Sequence, residues 1–180
     1  MAVDLESRVR QLEDRVLISE CVIKYALGVD RADWKMFVEC FTDPVYIDHS
    51  ENGLPAADYA RDHFVGIVRD ALSSFVGMQH LSPNHVIEFD PNDPERAICH
   101  SSMYAQHYRE DPDGGRVLVL HGSYTNYMAR TSDGWRIARQ SSTWAGLTTT
   151  ERPRQICRSA PRRSSSGKLP EVPVVFDVRR

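Results

Sequence analysis

The stretch GRVLVLHGSYTNYMARTSDGWRIARQSSTW, residues 115–144, decides the fold class. It contains two long runs rich in Val, Thr, Tyr and Trp, which favour strands, separated by the turn sequence TSDG. A connection this short forces the two runs to lie side by side as antiparallel strands. The stretch therefore predicts a long β-hairpin near the end of the domain.

Two further β-rich runs precede this hairpin, MQHLSPNHVIEFD and ERAICHSSMYAQHYRE, and the turn sequences DPNDPE and DPDGG separate the runs. The same reasoning on short connections extends the hairpin to an antiparallel meander of four runs. One shorter strand is predicted earlier in the chain, at PVYIDHS.

The part of the chain before the meander favours helices. Apolar residues at helical spacing predict an amphipathic helix over about residues 4–28, with a short helix at WKMFVECF and a third at AADYARDHFVGIVRDALSSF. The apolar positions of the first helix are Leu5, Val9, Leu12, Val16, Ile23 and Leu27. Helices first and long strands afterwards indicate an α+β domain, in which three helices pack on the concave side of a curved antiparallel sheet.

Composition suits one domain with a sizeable core, since 41% of the 180 residues are hydrophobic and 26% are charged. Residues 149–180 carry eight Lys or Arg against three acids, which leaves a net charge of about −8 on residues 1–148. That negative body argues against nucleic acid as a partner. The four cysteines lie far apart, so neither a zinc site nor a disulfide framework is indicated.

The chain has no apolar run of membrane-spanning length and opens without a signal-peptide pattern, so a cytoplasmic protein is expected. We divide it into a domain over residues 1–148 and a basic Pro/Ser/Arg-rich extension over residues 149–180. Four prolines in the extension argue against a long helix, and VPVVFDV could add a strand to a neighbouring subunit or cross a pocket mouth. Apolar residues on the outer sheet face favour a homodimer or homotrimer.

The order of elements, together with the closing run DGWRIARQSSTW, resembles the SnoaL-like and scytalone dehydratase-like members of the nuclear transport factor 2-like superfamily. The resemblance covers roughly residues 5–148. It implies a cone-shaped curved sheet that encloses one deep pocket with its helices. GVD followed by HGSYTNYMARTSDGWR is also similar to hexachlorocyclohexane dehydrochlorinase, and the step from Tyr25 to Asp30 with the pair QH is similar to bile acid 7α-dehydratase.

The resemblance places catalytic residues at three positions. Catalytic members have a Tyr and an Asp on the first helix and a His at the start of the strand after the third helix, and Tyr25, Asp30 and His80 stand at these positions. Asp30 would orient His80 and balance its charge, His80 would take a proton from carbon, and Tyr25 would polarise a substrate oxygen. Such a set needs neither a metal nor an organic cofactor.

Asp30 is unusual on physical grounds as well. A carboxylate near the C-terminal end of a helix meets the negative end of the helix dipole, whereas Asp33 has an ordinary role as the N-cap of the second helix. A hydrogen bond from a histidine to such a carboxylate would fix the tautomer of the imidazole. Each residue also has an ordinary structural alternative: a turn residue for Asp30, a core histidine for His80 and core packing for Tyr25.

Other candidates are weaker. Scytalone dehydratase has a second histidine on the next strand, and by spacing it would fall near Met103 or Ala105 here, so this sequence departs from that pattern. His107 shares the same strand face and is a candidate substitute in substrate binding. Arg139, which shares parity with Trp135, and Tyr127 are two further candidates for substrate contact. His49 and His85 are interpreted as surface or structural.

The leading functional hypothesis is a cofactor-independent lyase or isomerase of the dehydratase or cyclase type. Its substrate would be a hydrophobic ring compound such as a polyketide, steroid, terpenoid or aromatic catabolite, which points to secondary metabolism. One alternative is the non-catalytic β subunit of an aromatic-ring-hydroxylating dioxygenase, and another is an inert ligand-binding module.

Overall fold

The computed structural model describes residues 4–112 and 114–151. Within them the chain forms three α-helices and seven β-strands. The helices are α1 (Leu5–Asp30), α2 (Trp34–Val38) and α3 (Arg61–Leu72). The strands are β1 (Phe41–His49), β2 (Leu54–Tyr59), β3 (Gly77–Leu81), β4 (Val86–Phe89), β5 (Arg96–Arg109), β6 (Arg116–Thr131) and β7 (Gly134–Glu151). The predicted extension lies almost entirely outside the described residues.

The seven strands form one curved, unclosed sheet in the order β2-β1-β7-β6-β5-β3, and β4 pairs with β5 as well. The predicted α+β class and the long β6–β7 hairpin are confirmed. The sheet is not wholly antiparallel, because β1 runs parallel to β7. These two strands are far apart in sequence, so the short-connection argument, which holds for successive strands, does not apply to them.

The third helix is five residues shorter at its start than the sequence predicts. Residues 54–59 form β2, which pairs with β1 at the edge of the sheet, where Pro55 is tolerated. The helix then begins at Arg61, whose backbone N–H donates to the carboxylate of Asp43 at 3.1 Å. Asp43 therefore caps α3 from another element, while Ala60 at the N-cap position has no side chain for this purpose.

Helix α1 packs on the sheet through a face that the apolar periodicity did not indicate. Its buried residues include Ile18, Val22, Tyr25 and Val29, together with the polar Asp14. Five of the six apolar residues on which the prediction rested, Leu5, Val9, Leu12, Val16 and Ile23, are solvent-exposed instead. The helix was predicted correctly, but the stripe that identified it lies on the side away from the core.

An ion pair fixes the buried face of α1 to the β6–β7 hairpin. The carboxylate of Asp14 lies 2.6 Å from the guanidinium of Arg130 and accepts a hydrogen bond of 3.1 Å from the indole N–H of Trp135. Burial opposes ionisation of Asp14, but these two partners outweigh it and lower the pKa of the carboxyl. Asp14 therefore sets which face of α1 meets the core.

Candidate active site

Asp30 and His80 meet where the end of α1 packs against β3. The carboxylate of Asp30 accepts the backbone N–H of His80 with both oxygens, at 2.9 and 3.0 Å. The Nδ1 of His80 lies 2.7 Å from Oδ1 of Asp30. Because the carboxylate can only accept, Nδ1 carries the proton of this bond. The neutral ring then keeps its lone pair on Nε2, which makes no hydrogen bond to a described residue.

A cavity of about 350 Å³ lies in front of this pair, between the sheet and helices α1 and α3. Most of its lining is apolar, and α3 contributes Ile67, Val68 and Leu72 to one wall. His80 and Tyr25 line the same cavity. A space of this size with few polar groups suits a small, largely apolar molecule.

His107 lies beside His80 on the neighbouring strand. The register pairs His80 with Ala105, so His107 is its diagonal neighbour, and the two imidazole centres are 5.0 Å apart. His107 lines the cavity, and neither of its ring nitrogens is hydrogen-bonded to a described residue. Burial, reinforced by the nearby His80 and opposed by Asp30, lowers the pKa of His107 to about 4. This imidazole is therefore neutral at physiological pH.

Tyr25 belongs both to the cavity wall and to the aromatic core. Its ring lies 5.2 Å from that of Phe37 and 5.7 Å from that of Tyr124, between centroids. Burial raises the pKa of the Tyr25 phenol well above its ordinary value, and Tyr124 adds to that increase. The phenol therefore stays protonated and is able to donate a hydrogen bond.

The family model of the SnoaL-like domain matches residues 10–141 of the chain. The chain belongs to this family. An uncharacterized protein of Mycobacterium tuberculosis is 26% identical over 136 residues, which is 75% of this chain and 88% of the relative.

Solved structures share the fold of this SnoaL-like domain. A protein from Kribbella flavida superposes with a TM-score of 0.71 at 26% identity, over 77% of this chain and 95% of that one. A proposed scytalone dehydratase from Novosphingobium aromaticivorans gives 0.65 at 18% identity, over 79% and 89%. A hexachlorocyclohexane dehydrochlorinase from Novosphingobium barchaimii gives 0.68 at 13% identity, over 79% and 94%. The predicted family resemblance is confirmed.

Arg139 and Tyr127, the two other candidates for substrate contact, are not among the residues that line this cavity. The register pairs Tyr127 with Arg139 and Met128 with Ile137, so Ala138 is an extra residue in β7. This bulge reverses the alternation of side chains, and Arg139 no longer shares a face with Trp135. Its guanidinium lies 4.6 and 5.0 Å from the ring centroids of Tyr46 and Tyr127.

His49 lines the cavity although its sequence context suggested a surface or structural role. Gln140 donates from Nε2 to Asn126 at 2.8 Å, so its oxygen is turned to His49 and accepts from Nε2 of that ring at 3.0 Å. Burial lowers the pKa of His49, and the hydrogen bond with Gln140 opposes that shift only in part. The alternation of Val45, Ile47 and His49, all buried, is the sequence signal that could have identified it.

Two features are absent from the part of the chain that the structure describes. Its residues contain no group of three or more His, Cys, Asp or Glu arranged to hold a metal ion. In the same residues, no helix combines the length and apolarity needed to cross a membrane.

Proposed function

We propose that this SnoaL-like protein is a cofactor-independent lyase or isomerase that removes a proton from carbon in a hydrophobic ring compound. The observation that carries the proposal is the 2.7 Å contact between Nδ1 of His80 and Asp30 beside an apolar cavity. A histidine held in one tautomer by a carboxylate leaves its other nitrogen free to act as a general base. The structural neighbours whose names are those of a dehydratase and a dehydrochlorinase support this reaction class.

In the proposed reaction, Nε2 of His80 takes the proton, and the electron pair of the broken C–H bond moves into the ring system. Asp30 stabilises the imidazolium that forms. In an elimination this electron pair expels a leaving group on the adjacent carbon. In an isomerisation a second carbon is reprotonated. Both reactions share the first step, so one assay of proton removal tests either.

Tyr25 and His107 are proposed to hold the substrate oxygen. The Tyr25 phenol, kept neutral by burial, can donate to a carbonyl or to a departing hydroxyl. The neutral His107 can donate from one nitrogen, and a hydrogen bond from substrate would offset the cost of its two buried, unbonded nitrogens. Both groups lie on the cavity wall with His80, which limits the orientations that a ring compound can take.

The test is hydrogen–deuterium exchange at carbon, or elimination, on a panel of hydroxylated and keto ring compounds. Asp30→Asn should lower turnover by about 10²–10⁴, because the imidazole loses its fixed tautomer, and His80→Ala should lower it by at least about 10². The double variant should be scarcely slower than His80→Ala, since residues that act as a unit are not additive.

His121→Ala serves as the matched control, because that exposed histidine contacts Tyr104 rather than the cavity lining. Circular dichroism would verify that every variant is folded. An established activity that survives Asp30→Asn unchanged in a folded protein would contradict the proposed pair.

A further inference from the structure

The exposed stripe on α1 has the spacing of a coiled-coil seam. Its apolar residues follow one another at steps of four, three, four and seven, the last step passing over Ser19. They are 45–72% exposed: Leu5, Val9, Leu12, Val16 and Ile23. The opposite side of the helix is held by Asp14 on Arg130 and by buried packing residues, so the stripe cannot turn inward. An apolar seam of this length on a free helix face needs a partner.

The residue types in the seam match a second copy of the same helix. In heptad terms, Val9, Val16 and Ile23 occupy the a positions, and Leu5 and Leu12 occupy d positions, with Ser19 at the next d. In parallel coiled coils, β-branched residues at a with Leu at d are the combination that favours two helices over three or four. These residue types therefore favour two helices over three or four.

The charges beside the seam select the same arrangement. The e positions hold Glu6, Glu13 and Glu20, and the g positions of the first two heptads hold Arg8 and Arg15. In a parallel pair each g residue faces the e residue five positions later in the partner, which sets Arg against Glu. An antiparallel pair would instead set Arg against Arg and Glu against Glu.

Arg8 and Glu13 are free to make this pair. Among the described residues neither side chain has an ion-pair partner within its own chain. Arg15 is less free, because its guanidinium donates to the carbonyl of Ile87 at 3.0 Å. The pair of Arg8 with Glu13 of the second copy is therefore the cleaner probe of orientation.

We propose that the chain dimerises through α1, with the two helices parallel and related by a two-fold axis that runs along the seam. The arrangement buries the same five apolar residues from both copies and brings the Arg and Glu flanks together. None of the five seam residues lines the cavity beside Asp30 and His80. The proposal is independent of the proposed activity.

Sedimentation equilibrium of the full chain at micromolar concentration tests the proposal. Wild type should have twice the mass of one chain, and Leu12→Glu with Val16→Glu should give a folded monomer. Leu17→Glu is the matched control, because Leu17 is 46% exposed on the same helix but lies beside the seam, and it should stay dimeric.

A charge exchange tests the orientation. Arg8→Glu alone and Glu13→Arg alone should each weaken the dimer roughly tenfold, because each creates two like-charge contacts in a parallel pair. Mixing the two variants should restore a mixed dimer with two Arg–Glu contacts, visible by native mass spectrometry.

Four results would overturn the proposal: a monomeric wild type, a dimer untouched by the paired Glu substitutions, a trimer, or failure of the mixed dimer to form preferentially. A monomer that instead binds phospholipid vesicles through the same stripe would assign that surface to membranes.

Discussion

Asp30 ends α1, where the helix dipole disfavours an anion by about 0.3–1 kcal/mol. The structure supplies what offsets this cost. His80 supplies two hydrogen-bond donors to this carboxylate: its backbone N–H, shared between both oxygens, and Nδ1 of its ring. Such bonds contribute about 1.5–3 kcal/mol each in favourable cases, so the balance favours the carboxylate. Asp30 thus ties α1 to β3 as well as orienting the imidazole.

This double role changes what Asp30→Asn should do to stability. The sequence alone suggests a gain of a few tenths of a kcal/mol from relief of the dipole clash. The contacts with His80 indicate instead that the neutral amide gives up charge-assisted bonds, so we expect no gain. The position of Asp30 could be read from sequence, but its hydrogen bond to the backbone of residue 80 could not, because that contact joins residues 50 apart.

His107 makes stability depend on pH in a defined window. Its pKa is about 4 in the folded protein and near 6.5 in the unfolded chain, so the unfolded chain binds the proton more readily. The free energy of unfolding is therefore unaffected above pH 6.5 and falls as the pH is lowered towards 4. Between pH 7 and pH 5 the expected loss is about 2 kcal/mol.

Urea unfolding of wild type and His107→Phe at pH 7 and pH 5 measures this effect. The variant should lose less stability over the interval, because the titrating group is gone while an aromatic ring remains beside Phe75. His49, whose pKa is also lowered, contributes in the same direction in both proteins and cancels in the comparison. Equal losses in the two proteins would contradict the low pKa of His107.

Among the elements, α1 and α2 approach each other closely at one glycine. A Cβ added at Gly28 would lie 2.9 Å from the backbone nitrogen of Phe37. This contact is too short, and a backbone atom cannot easily move away to relieve it. Ala normally stabilises a helix interior by about 0.5–1 kcal/mol relative to Gly, whereas overpacking costs about 1–3 kcal/mol. The cost of overpacking exceeds the gain in helix propensity, so Gly28→Ala should be destabilising. It should also disturb the end of α1 that carries Asp30.

Gly66→Ala is the control for this prediction. It lies in α3 with no atom within 4 Å of an added Cβ, and so it should raise the free energy of unfolding by about 0.5–1 kcal/mol. Urea titrations of the two variants against wild type provide the measurement. If Gly28→Ala were as stable as Gly66→Ala, the contact between the two helices would be looser than the structure has it.

Periodicity predicted the elements better than it predicted their faces. The face of β5 that carries Met103, Ala105 and His107 alternates without interruption, and it is buried as its parity requires. In β7 the extra residue Ala138 reverses the alternation, and nothing in the local sequence marks it. The shared parity of Arg139 with Trp135 is lost at that bulge, because parity carries across a strand only while the register is unbroken.

At the scale of the whole molecule, the volume of the cavity limits the size of a ligand for the proposed function, whereas its apolar lining says less about the ligand's chemical groups. An apolar cavity of about 150 Å³ is large enough to hold benzene, so the 350 Å³ here corresponds to about two rings. A four-ring steroid would not fit without displacing α3 or extending through the opening. For the proposed function, the volume therefore favours one- and two-ring aromatic or polyketide-like compounds over four-ring steroids.

A graded series of ring compounds tests this limit. Equilibrium binding, measured by thermal shift or calorimetry, should strengthen from one ring to two, because each Å² of apolar surface buried adds about 25 cal/mol to the binding free energy. Binding should then fall sharply for three and four rings. Ala71→Trp narrows the cavity from an exposed position on α3, so it should weaken two-ring ligands more than one-ring ligands without unfolding the core. Tight binding of a four-ring compound, unaffected by Ala71→Trp, would show that ligands occupy a different space from the cavity beside Asp30 and His80.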